Sequence, residues 1–421
     1  MFLQYMPIEI KEKYHRHKAL ISNFNFMSIF QISQIAFPLV IYPYLIRVLG
    51  KETYGIIAYS NAIIAYLLIL INFGFNISEV KDISLYRDDI NKVSEIVSSV
   101  LILRTILFII AIVILSILII TIPTFASYKW LYLAYIGILI NGAIDPSFYF
   151  QGIEKMKFIT IISFLSNVAF LILMFIFINN KSQYILVPLF TSIGAMLGSM
   201  IGLYLIFGRQ GIRFSFQSYQ KLKFRLKESF PFFSSRVSVL VIDKSNVVLI
   251  GSFIGYTQVA YYDLAVKLVG AMKVPFGIFN QVLFPNVSRT KNVAMVIKTL
   301  KGLIIFYVLG YFSLFFIGDT MIKILGGVHL LPAKYILYLL GITMITELIS
   351  TFLGAPILLA MGHKTEYTKS IIYGSLFYAI IVFILYLTNW FGIYQLTMAT
   401  VAAGTFILLY RFYYCKIFKL F

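Results

Sequence analysis

The sequence predicts an all-α polytopic membrane protein with twelve transmembrane helices in two six-helix bundles. Of its 421 residues, 60% are hydrophobic and only 12% are charged, and the mean hydropathy is +0.91. Apolar segments of about 20 residues, the length that crosses a bilayer, follow one another from Asn23 to the C-terminus. Most of the Lys and Arg residues lie in the short breaks that would face one side of the membrane.

The composition excludes several classes of protein. The net charge of +19 is spread over short loops, so it does not form the basic face of a nucleic-acid-binding domain. Cys415 is the only cysteine, which rules out an intrachain disulfide and a cysteine metal cluster. The phosphate-binding motif GxxxxGK[ST] is absent, so transport would draw on an ion gradient, a substrate gradient or an external partner. We expect no cofactor, no metal and no catalytic residue.

The twelve spans were placed by hydropathy and then oriented by the loop charges. They are predicted near 23–46, 54–76, 95–121, 128–149, 157–179, 184–207, 229–252, 258–285, 299–318, 333–357, 368–388 and 393–414. With a cytoplasmic N-terminus, the inside segments carry 24 Lys and Arg residues and the outside segments carry 6. This bias predicts that both termini are cytoplasmic. The basic residues before the first span are expected to act as an anchor, not as part of a cleaved signal.

The longest polar stretch divides the chain into two predicted halves. We expect an N-terminal bundle at 1–208, a basic cytoplasmic linker at 209–228 and a C-terminal bundle at 229–421. A weak internal sequence similarity supports a duplication of the two halves. Small and aromatic residues follow Gly50 between spans one and two, and also Gly255 between spans seven and eight. An even number of spans in each half would place a pseudo-two-fold axis along the membrane normal.

Ionisable residues inside the spans are the main functional signal, because each costs at least about 2.5–3.5 kcal/mol to insert. They are Arg104, Asp145, Arg236, Asp243, Lys244, Asp263, Lys267, Lys273 and Glu347. One interpretation is a water-filled cavity whose cations attract an anionic head group. The other is snorkelling and structural ion pairing. Asp263 and Lys267 are four residues apart and can pair, whereas Lys273 has no obvious local partner.

Two further roles are assigned to residues in the spans. Asp243, Asp263 and Glu347 are candidates for a proton or sodium coupling site, the alternative being simple pairing with neighbouring cations. Pro43 and Pro275 are candidates for gating, because proline permits bending in membrane helices, although it is common in them. Asp145 precedes Pro146 near a span end and is interpreted as a cap or turn.

Several sequence stretches carry a family resemblance. They are Pro43–Gly50 (PYLIRVLG) with Tyr54 and Gly55, Phe73–Phe75 (FGF), Phe150–Lys155 (FQGIEK), Tyr261–Lys267 (YYDLAVK), and Phe284 and Pro285 with Ser288. The FQGIEK stretch, in a predicted cytoplasmic loop, is the most specific element of this resemblance. On these residues the chain resembles the Wzx-type flippases of O-antigen and capsule pathways, within the superfamily of multidrug, oligosaccharidyl-lipid and polysaccharide exporters.

The resemblance implies a V-shaped, MATE-like fold and a cationic central cavity. It implies that undecaprenyl-diphosphate-linked oligosaccharide units are moved from the cytoplasmic to the outer leaflet of the bacterial plasma membrane by alternating access, with ion coupling. Lys267 and Arg47 match recurrent positions of the family. The other predicted residues are added because their positions in the spans place them deep in the membrane. The predicted substrate-binding residues are Lys244, Lys273, Lys267, Arg104, Arg236 and Arg47. Membrane lipids, a polysaccharide polymerase and a chain-length regulator are the implied partners, and we expect a monomer.

Three alternatives remain open at this point. A small-molecule drug antiporter on the same fold would have a smaller, more acidic or aromatic cavity. A teichoic-acid or other lipid-linked precursor flippase of the same superfamily is difficult to distinguish by sequence from a flippase of O-antigen units. A membrane polymerase or glycosyltransferase would need a sizeable external loop with catalytic groups. The largest predicted outside stretch, about 319–334, contains Asp319 as its only carboxylate.

Overall fold

The computed structural model describes residues 8–420, and it describes side chains from Asn25 onward except at positions 35, 281, 282, 285 and 286. The described residues form helices joined by short turns, with no strand. The α-helices are α1 (Ile8–Asn72), α2 (Phe75–Leu85), α3 (Ile90–Thr121), α4 (Pro123–Ser127), α5 (Lys129–Ala134), α6 (Ile136–Ile144), α7 (Ser147–Gly152), α8 (Met156–Phe177), α9 (Leu186–Arg209), α10 (Tyr219–Phe253), α11 (Tyr256–Thr290), α12 (Val293–Gly326), α13 (Ala333–Phe352), α14 (Lys364–Leu387) and α15 (Ile393–Ile417). Short 3₁₀ turns lie at Lys181–Ile185 and Val328–Leu330, and Leu353–Leu359 is a π-helix.

The helices agree with the predicted all-α membrane architecture. Within the described residues, nine segments are long and apolar enough to cross a membrane. One of them, Asn25–Leu85, is 61 residues long and covers the first two predicted spans. Gly50 interrupts it with φ 78° and ψ 163°, a backbone conformation that glycine adopts without steric cost. The more charged helices α10 and α11 lie at the seventh and eighth predicted spans, so the helices are consistent with twelve spans.

The fourth predicted span differs from a single helix. Between 129 and 152 the chain forms α5, α6 and α7, with turns at Tyr135 and at Asp145–Pro146. Asp145 Oδ1 accepts hydrogen bonds from the backbone N of Ser147 at 3.2 Å and from Ser147 Oγ at 2.6 Å. This contact supports the interpretation of Asp145 as a turn residue.

The chain divides into two compact units. Unit 1 contains the described part of Met1–Pro38, together with Leu70–Phe177 and Ile185–Phe232. Unit 2 contains Leu39–Ile69, Ile178–Tyr184 and Phe233–Phe421. The units thus assign the middle of α1 to unit 2, whereas the predicted halves at 1–208 and 229–421 followed the order of the sequence. The predicted linker at 209–228 belongs to unit 1, and from Tyr219 onward it is the first part of α10.

Unit 1 is built around α2, α3 and α7. Its core side chains include Phe75, Val97, Val100, Phe148 and Phe150, which are almost completely buried. Four polar pairs bind the start of α10 to α2 and α3: Arg225 with Glu79 (2.9 Å), Arg225 with Asp82, Ser229 with Ser78 (2.7 Å), and Lys221 with Glu95 (2.6 Å). The basic stretch before the seventh span is therefore bound to the rest of unit 1 by ion pairs and a hydrogen bond.

Helix α9 approaches its neighbours through glycines spaced four residues apart. A Cβ at Gly198 would lie 2.8 Å from Ser166 Oγ on α8, and a Cβ at Gly202 would lie 2.3 Å from Pro146 Cγ. Gly194 faces the backbone oxygen of Ser166 in the same way. Small residues at this spacing let membrane helices pack closely. They bring α8 and α9 against the turn at Pro146.

Unit 2 is organised by α13, which packs against α11, α12 and α15. A buried amide connects four helices of unit 2, two of which, α11 and α15, also pack against α13. Asn246 on α10 donates from Nδ2 to Tyr262 OH at 2.8 Å and to Thr400 Oγ1 at 2.7 Å, and its Oδ1 accepts a hydrogen bond from Tyr378 OH. Because every partner is buried or half-buried, this network stabilises one relative arrangement of α10, α11, α14 and α15.

A close backbone contact inside unit 2 yields the first prediction. A Cβ at Gly55 would lie 1.8 Å from the backbone oxygen of Tyr256, so Gly55→Ala should force the two helices apart. Overpacking of this kind costs about 1–3 kcal/mol, and we expect a lower thermal midpoint in detergent. Gly270→Ala is the matched control, because a Cβ there would meet no atom within 4 Å. Equal midpoints for the two variants would contradict the contact.

Candidate functional site

Ionisable side chains of the predicted spans gather in one group in unit 2. The group comes from α10, α11 and α13 and contains Asp243, Lys244, Asp263, Lys267, Lys273 and Glu347. Lys244 interacts electrostatically with both Asp243 and Asp263, which connects the two ends of the group. It contains three lysines and three carboxyl groups, so its charges balance when all are ionised.

One end of the group is a three-residue cluster of Tyr54, Asp263 and Lys267. Lys267 Nζ forms an ion pair with Asp263 Oδ2 and donates to Tyr54 OH at 2.7 Å. Tyr54 OH in turn donates to Asp263 Oδ2 at 2.6 Å. The lysine side chain is 25% exposed and the aspartate side chain 14% exposed. The i to i+4 spacing had indicated the ion pair, whereas the tyrosine comes from a distant part of the sequence.

A second tyrosine, Tyr42, completes the surroundings of Lys267. The Lys267 Nζ lies 5.3 Å from the ring centroid of Tyr42 and 5.4 Å from that of Tyr54. The two rings meet edge to face at 4.9 Å. Tyr42 is 2% exposed, and its hydroxyl has no hydrogen-bond partner among the described residues. Two ring faces therefore replace part of the hydration of the ammonium group.

The other end of the group joins α11 to α13. Lys273 Nζ lies 2.6 Å from Glu347 Oε1, with side-chain exposures of 20% and 42%. Asp243 is exposed and interacts electrostatically with Glu347, Lys244 and Lys273. Lys244 forms none of the ion pairs found among the described residues. The carboxyl side chains at this end are therefore more exposed than that of Asp263. Lys244 is the lysine of the group that forms no ion pair with a described residue.

None of the three predicted arginines is among the ion pairs of the described residues. Arg104 belongs to unit 1, where it is fully buried and donates to the Asp145 backbone oxygen at 2.8 Å and to Asn76 Oδ1. Arg47 is exposed and donates to the Ile324 backbone oxygen at 2.7 Å, near the end of α12. Arg236 is exposed on α10. Arg104 and Arg47 thus stabilise backbone turns in this conformation, and a substrate contact by any of the three arginines stays a prediction.

The two predicted gating prolines have different surroundings. Pro43 lies in α1, one turn before Arg47 and ahead of the break at Gly50. Pro275 is exposed in α11, and the hydroxyl of Tyr307 on α12 bridges the turn around it. Tyr307 OH donates to the Met272 backbone oxygen at 2.9 Å and accepts from the Phe276 backbone N at 3.3 Å. A side chain inserted into a helical turn is a recognised cause of bending, and a gating role for Pro43 or Pro275 stays a prediction.

Sequence analysis missed the partners that lie far away along the chain. Glu347 was considered for ion coupling, and its pairing with Lys273 was not foreseen. Tyr42 and Tyr54 were not singled out, although Tyr54 lies within a stretch that carries the family resemblance. Within the described residues, no group of three or more His, Cys, Asp or Glu side chains could hold a metal ion.

These features define a class: a helical, multi-pass membrane protein with ionisable groups gathered inside its spans. Such groups mark the pathways of polar substrates and ions. The chain belongs to the family described as "Polysaccharide biosynthesis protein", whose model matches residues 20–291.

Two curated relatives are similar over most of their length. A "Putative O-antigen transporter" of Escherichia coli K12 is 26% identical over 369 residues, which cover 86% of this chain and 88% of the relative. A protein of the same description from Shigella dysenteriae is 27% identical over 361 residues, covering 82% and 88%.

Two solved structures show a similar fold. A multidrug resistance MATE family transporter of the MOP superfamily, in an inward-facing conformation, has a TM-score of 0.73 at 15% identity and covers 90% of this chain and 94% of its own. The lipid II flippase MurJ, in an inward closed conformation, has a TM-score of 0.73 at 20% identity and covers 94% and 87%. At these identities the comparison shows the fold alone.

Proposed function

We propose that this protein is a flippase for lipid-linked polysaccharide precursors. The substrate is an undecaprenyl-diphosphate-linked oligosaccharide repeat unit, which moves from the cytoplasmic to the outer leaflet of the bacterial plasma membrane by alternating access. Membership of the polysaccharide biosynthesis protein family and similarity to two proteins described as O-antigen transporters support this proposal. Both termini are then cytoplasmic, as the loop charges predict. A monomer that works beside a polymerase and a chain-length regulator fits the same pathway.

The observation that carries the proposal is the position of three lysines inside the predicted spans of unit 2. Lys267 and Lys273 are partly exposed and each is paired with a carboxylate, and Lys244 interacts electrostatically with Asp263 and Asp243. A diphosphate is strongly anionic and is excluded from lipid tails. Ammonium groups at this depth offer it charge-assisted hydrogen bonds that lipid cannot offer.

The balanced charges suggest how binding and ion coupling are linked. When a diphosphate binds Lys267 or Lys273, it competes with Asp263 or Glu347 for the same ammonium group. A displaced carboxylate is left unpaired in a weakly polar environment, which favours the uptake of a proton by that carboxylate. Release of the diphosphate restores the ion pair and returns the proton. The coupling residues Asp263, Glu347 and Asp243 would thereby carry a proton in the same direction as the diphosphate, so the gradient that drives transport is one directed from the side of binding to the side of release.

The direct test is translocation in vesicles. The purified protein is reconstituted into liposomes that contain a fluorescent short-chain polyprenyl-diphosphate oligosaccharide, and the label in the outer leaflet is quenched with dithionite. We expect quenching to proceed beyond the half that protein-free vesicles show, and to accelerate when a proton gradient is imposed in the direction of substrate movement and not when it is reversed. A neutral polyprenyl glycoside without the diphosphate is the control substrate and should not be moved. Transport of cationic dyes without transport of the diphosphate lipid would favour a drug antiporter and overturn the proposal.

A further inference from the structure

Unit 1 contains a cavity that is separate from the ionisable group. It has a volume of about 340 Å³ and lies among α1, α6, α7, α8 and α9. Hydroxyl and amide side chains from these helices line it, and they include Gln34, Asn141, Ser163, Ser166, Asn167 and Ser199. Its volume is at the lower end of the range for ligand pockets, about 300–1,000 Å³. The cavity can therefore take a small polar group and not a whole oligosaccharide.

The charge of the cavity is neutralised by its surroundings. Asp145 is the one charged side chain among the described residues that line it, and its Oδ1 is already occupied by Ser147. Arg104 lies behind this turn, donates to the Asp145 backbone oxygen and interacts electrostatically with the carboxylate. An ionic ligand thus gains little from this cavity, whereas a neutral one leaves the balance between Asp145 and Arg104 unchanged.

Several polar groups of the lining are available to a ligand. Asn141 Oδ1 accepts from Ser199 Oγ at 2.6 Å, which leaves its Nδ2 as a donor. Asn167, Gln34 and Ser163 line the cavity and make no side-chain hydrogen bond to another described residue. Amides provide a donor and an acceptor side by side, as the vicinal hydroxyl groups of a sugar ring require.

Aromatic rings contribute to the apolar part of the wall, beside aliphatic side chains. Phe30, Phe150 and Phe170 line the same cavity as the amides. A sugar ring has an apolar face of C–H groups and a polar rim of hydroxyls, so it matches a wall that combines aromatic and amide side chains. A drug-like cation would instead favour an acidic pocket, and a lipid tail would favour an apolar one.

We propose that this cavity is a subsite for one neutral sugar residue of the transported oligosaccharide. The inference rests on the proposed function and adds a specificity site to it. The lysines of unit 2 recognise the diphosphate that all such substrates share. The cavity of unit 1 distinguishes the glycan, because only a ring with correctly placed hydroxyls satisfies its amides.

The test uses Asn167→Leu, which removes the amide and nearly preserves the volume. Two fluorescent lipids are compared in proteoliposomes: polyprenyl diphosphate with one neutral hexose and the same lipid without sugar. We expect the variant to translocate the glycosylated lipid about 3- to 10-fold more slowly, as the loss of one or two hydrogen bonds predicts. The sugar-free lipid should be moved at the wild-type rate. Asn91→Leu, an exposed site at the start of α3, is the matched control and should change neither rate.

The outcomes separate the subsite from the flippase proposal. An equal loss for both lipids would assign Asn167 a structural role and overturn the subsite, as would unchanged rates for both. If the wild-type protein moves neither lipid, the flippase proposal fails, and a second measurement decides on the cavity. This is saturation-transfer NMR with methyl glucoside, methyl galactoside and methyl mannoside. A signal from at least one glycoside in wild type that is lost in both Asn167→Leu and Ser163→Ala supports the subsite, and its absence for all three contradicts it.

Discussion

Replacing Lys267 by methionine should reduce translocation of the diphosphate lipid by roughly 100-fold or more. Lys267 makes a charge-assisted hydrogen bond to Asp263 and another to Tyr54, and each such bond is worth about 1.5–3 kcal/mol. A bound diphosphate would receive comparable bonds from the same ammonium group. The single substitution also leaves Asp263 as an unpaired carboxylate, so the thermal midpoint should fall as well.

A paired variant separates these two effects. Asp263→Asn with Lys267→Met removes both charges, and we expect it to recover the thermal midpoint while translocation stays low. Lys51→Met is the matched control, because Lys51 also bonds a tyrosine, Tyr261, at 3.1 Å, but is paired with no carboxylate among the described ion pairs. It should transport normally. Wild-type translocation by the paired variant would show that Lys267 serves only as a structural partner of Asp263.

The second large effect is expected at Lys244 and Lys273. Removal of both ammonium groups in Lys244→Ala, Lys273→Ala leaves Asp243 and Glu347 facing the same region without compensation. The two carboxylates would then repel a diphosphate, so we expect translocation to fall by about 100-fold at unchanged expression. The rate is measured in the same vesicle assay, across a series of substrate concentrations.

Conservative and distant variants provide the controls for this result. Lys244→Arg, Lys273→Arg keeps both charges and should retain a substantial part of the activity. Lys334→Ala removes a lysine that lies 3.5 Å from Asp319 in the same unit, and should have no effect. Full activity of the double alanine variant would eliminate these lysines as the site of the diphosphate.

How far the sequence predicts the site depends on the distance between partners along the chain. Asp263 and Lys267 are one helical turn apart, so their ion pair follows from helix geometry alone, and the structure contains it. Lys273 and Glu347 belong to α11 and α13, which meet only after the chain has folded. Tyr54 reaches Asp263 because Gly55 lets the middle of α1 approach Tyr256 so closely. A single sequence contains no signal for such contacts.

The cavity of unit 1 could not be predicted from the sequence either. Its amides and hydroxyls are scattered over α1, α6, α8 and α9, and each taken alone is an unremarkable polar residue in a membrane helix. The glycines of α9 could be read as a close-packing pattern, but their partners Ser166 and Pro146 could not. The sequence also gives no sign that Arg104 donates to the Asp145 backbone oxygen and to Asn76 Oδ1.

By itself, the sequence determined the fold class and the succession of apolar helices, and it predicts the side of the membrane that the basic loops face. These follow from hydropathy and from loop charge, which are local properties and can be evaluated without knowledge of any tertiary contact. Only the tertiary structure decided which ionisable residues meet, which arginines are buried in turns and where polar side chains enclose a cavity. The reason is physical: insertion cost shows that a buried charge must have a partner, and helix packing alone selects that partner.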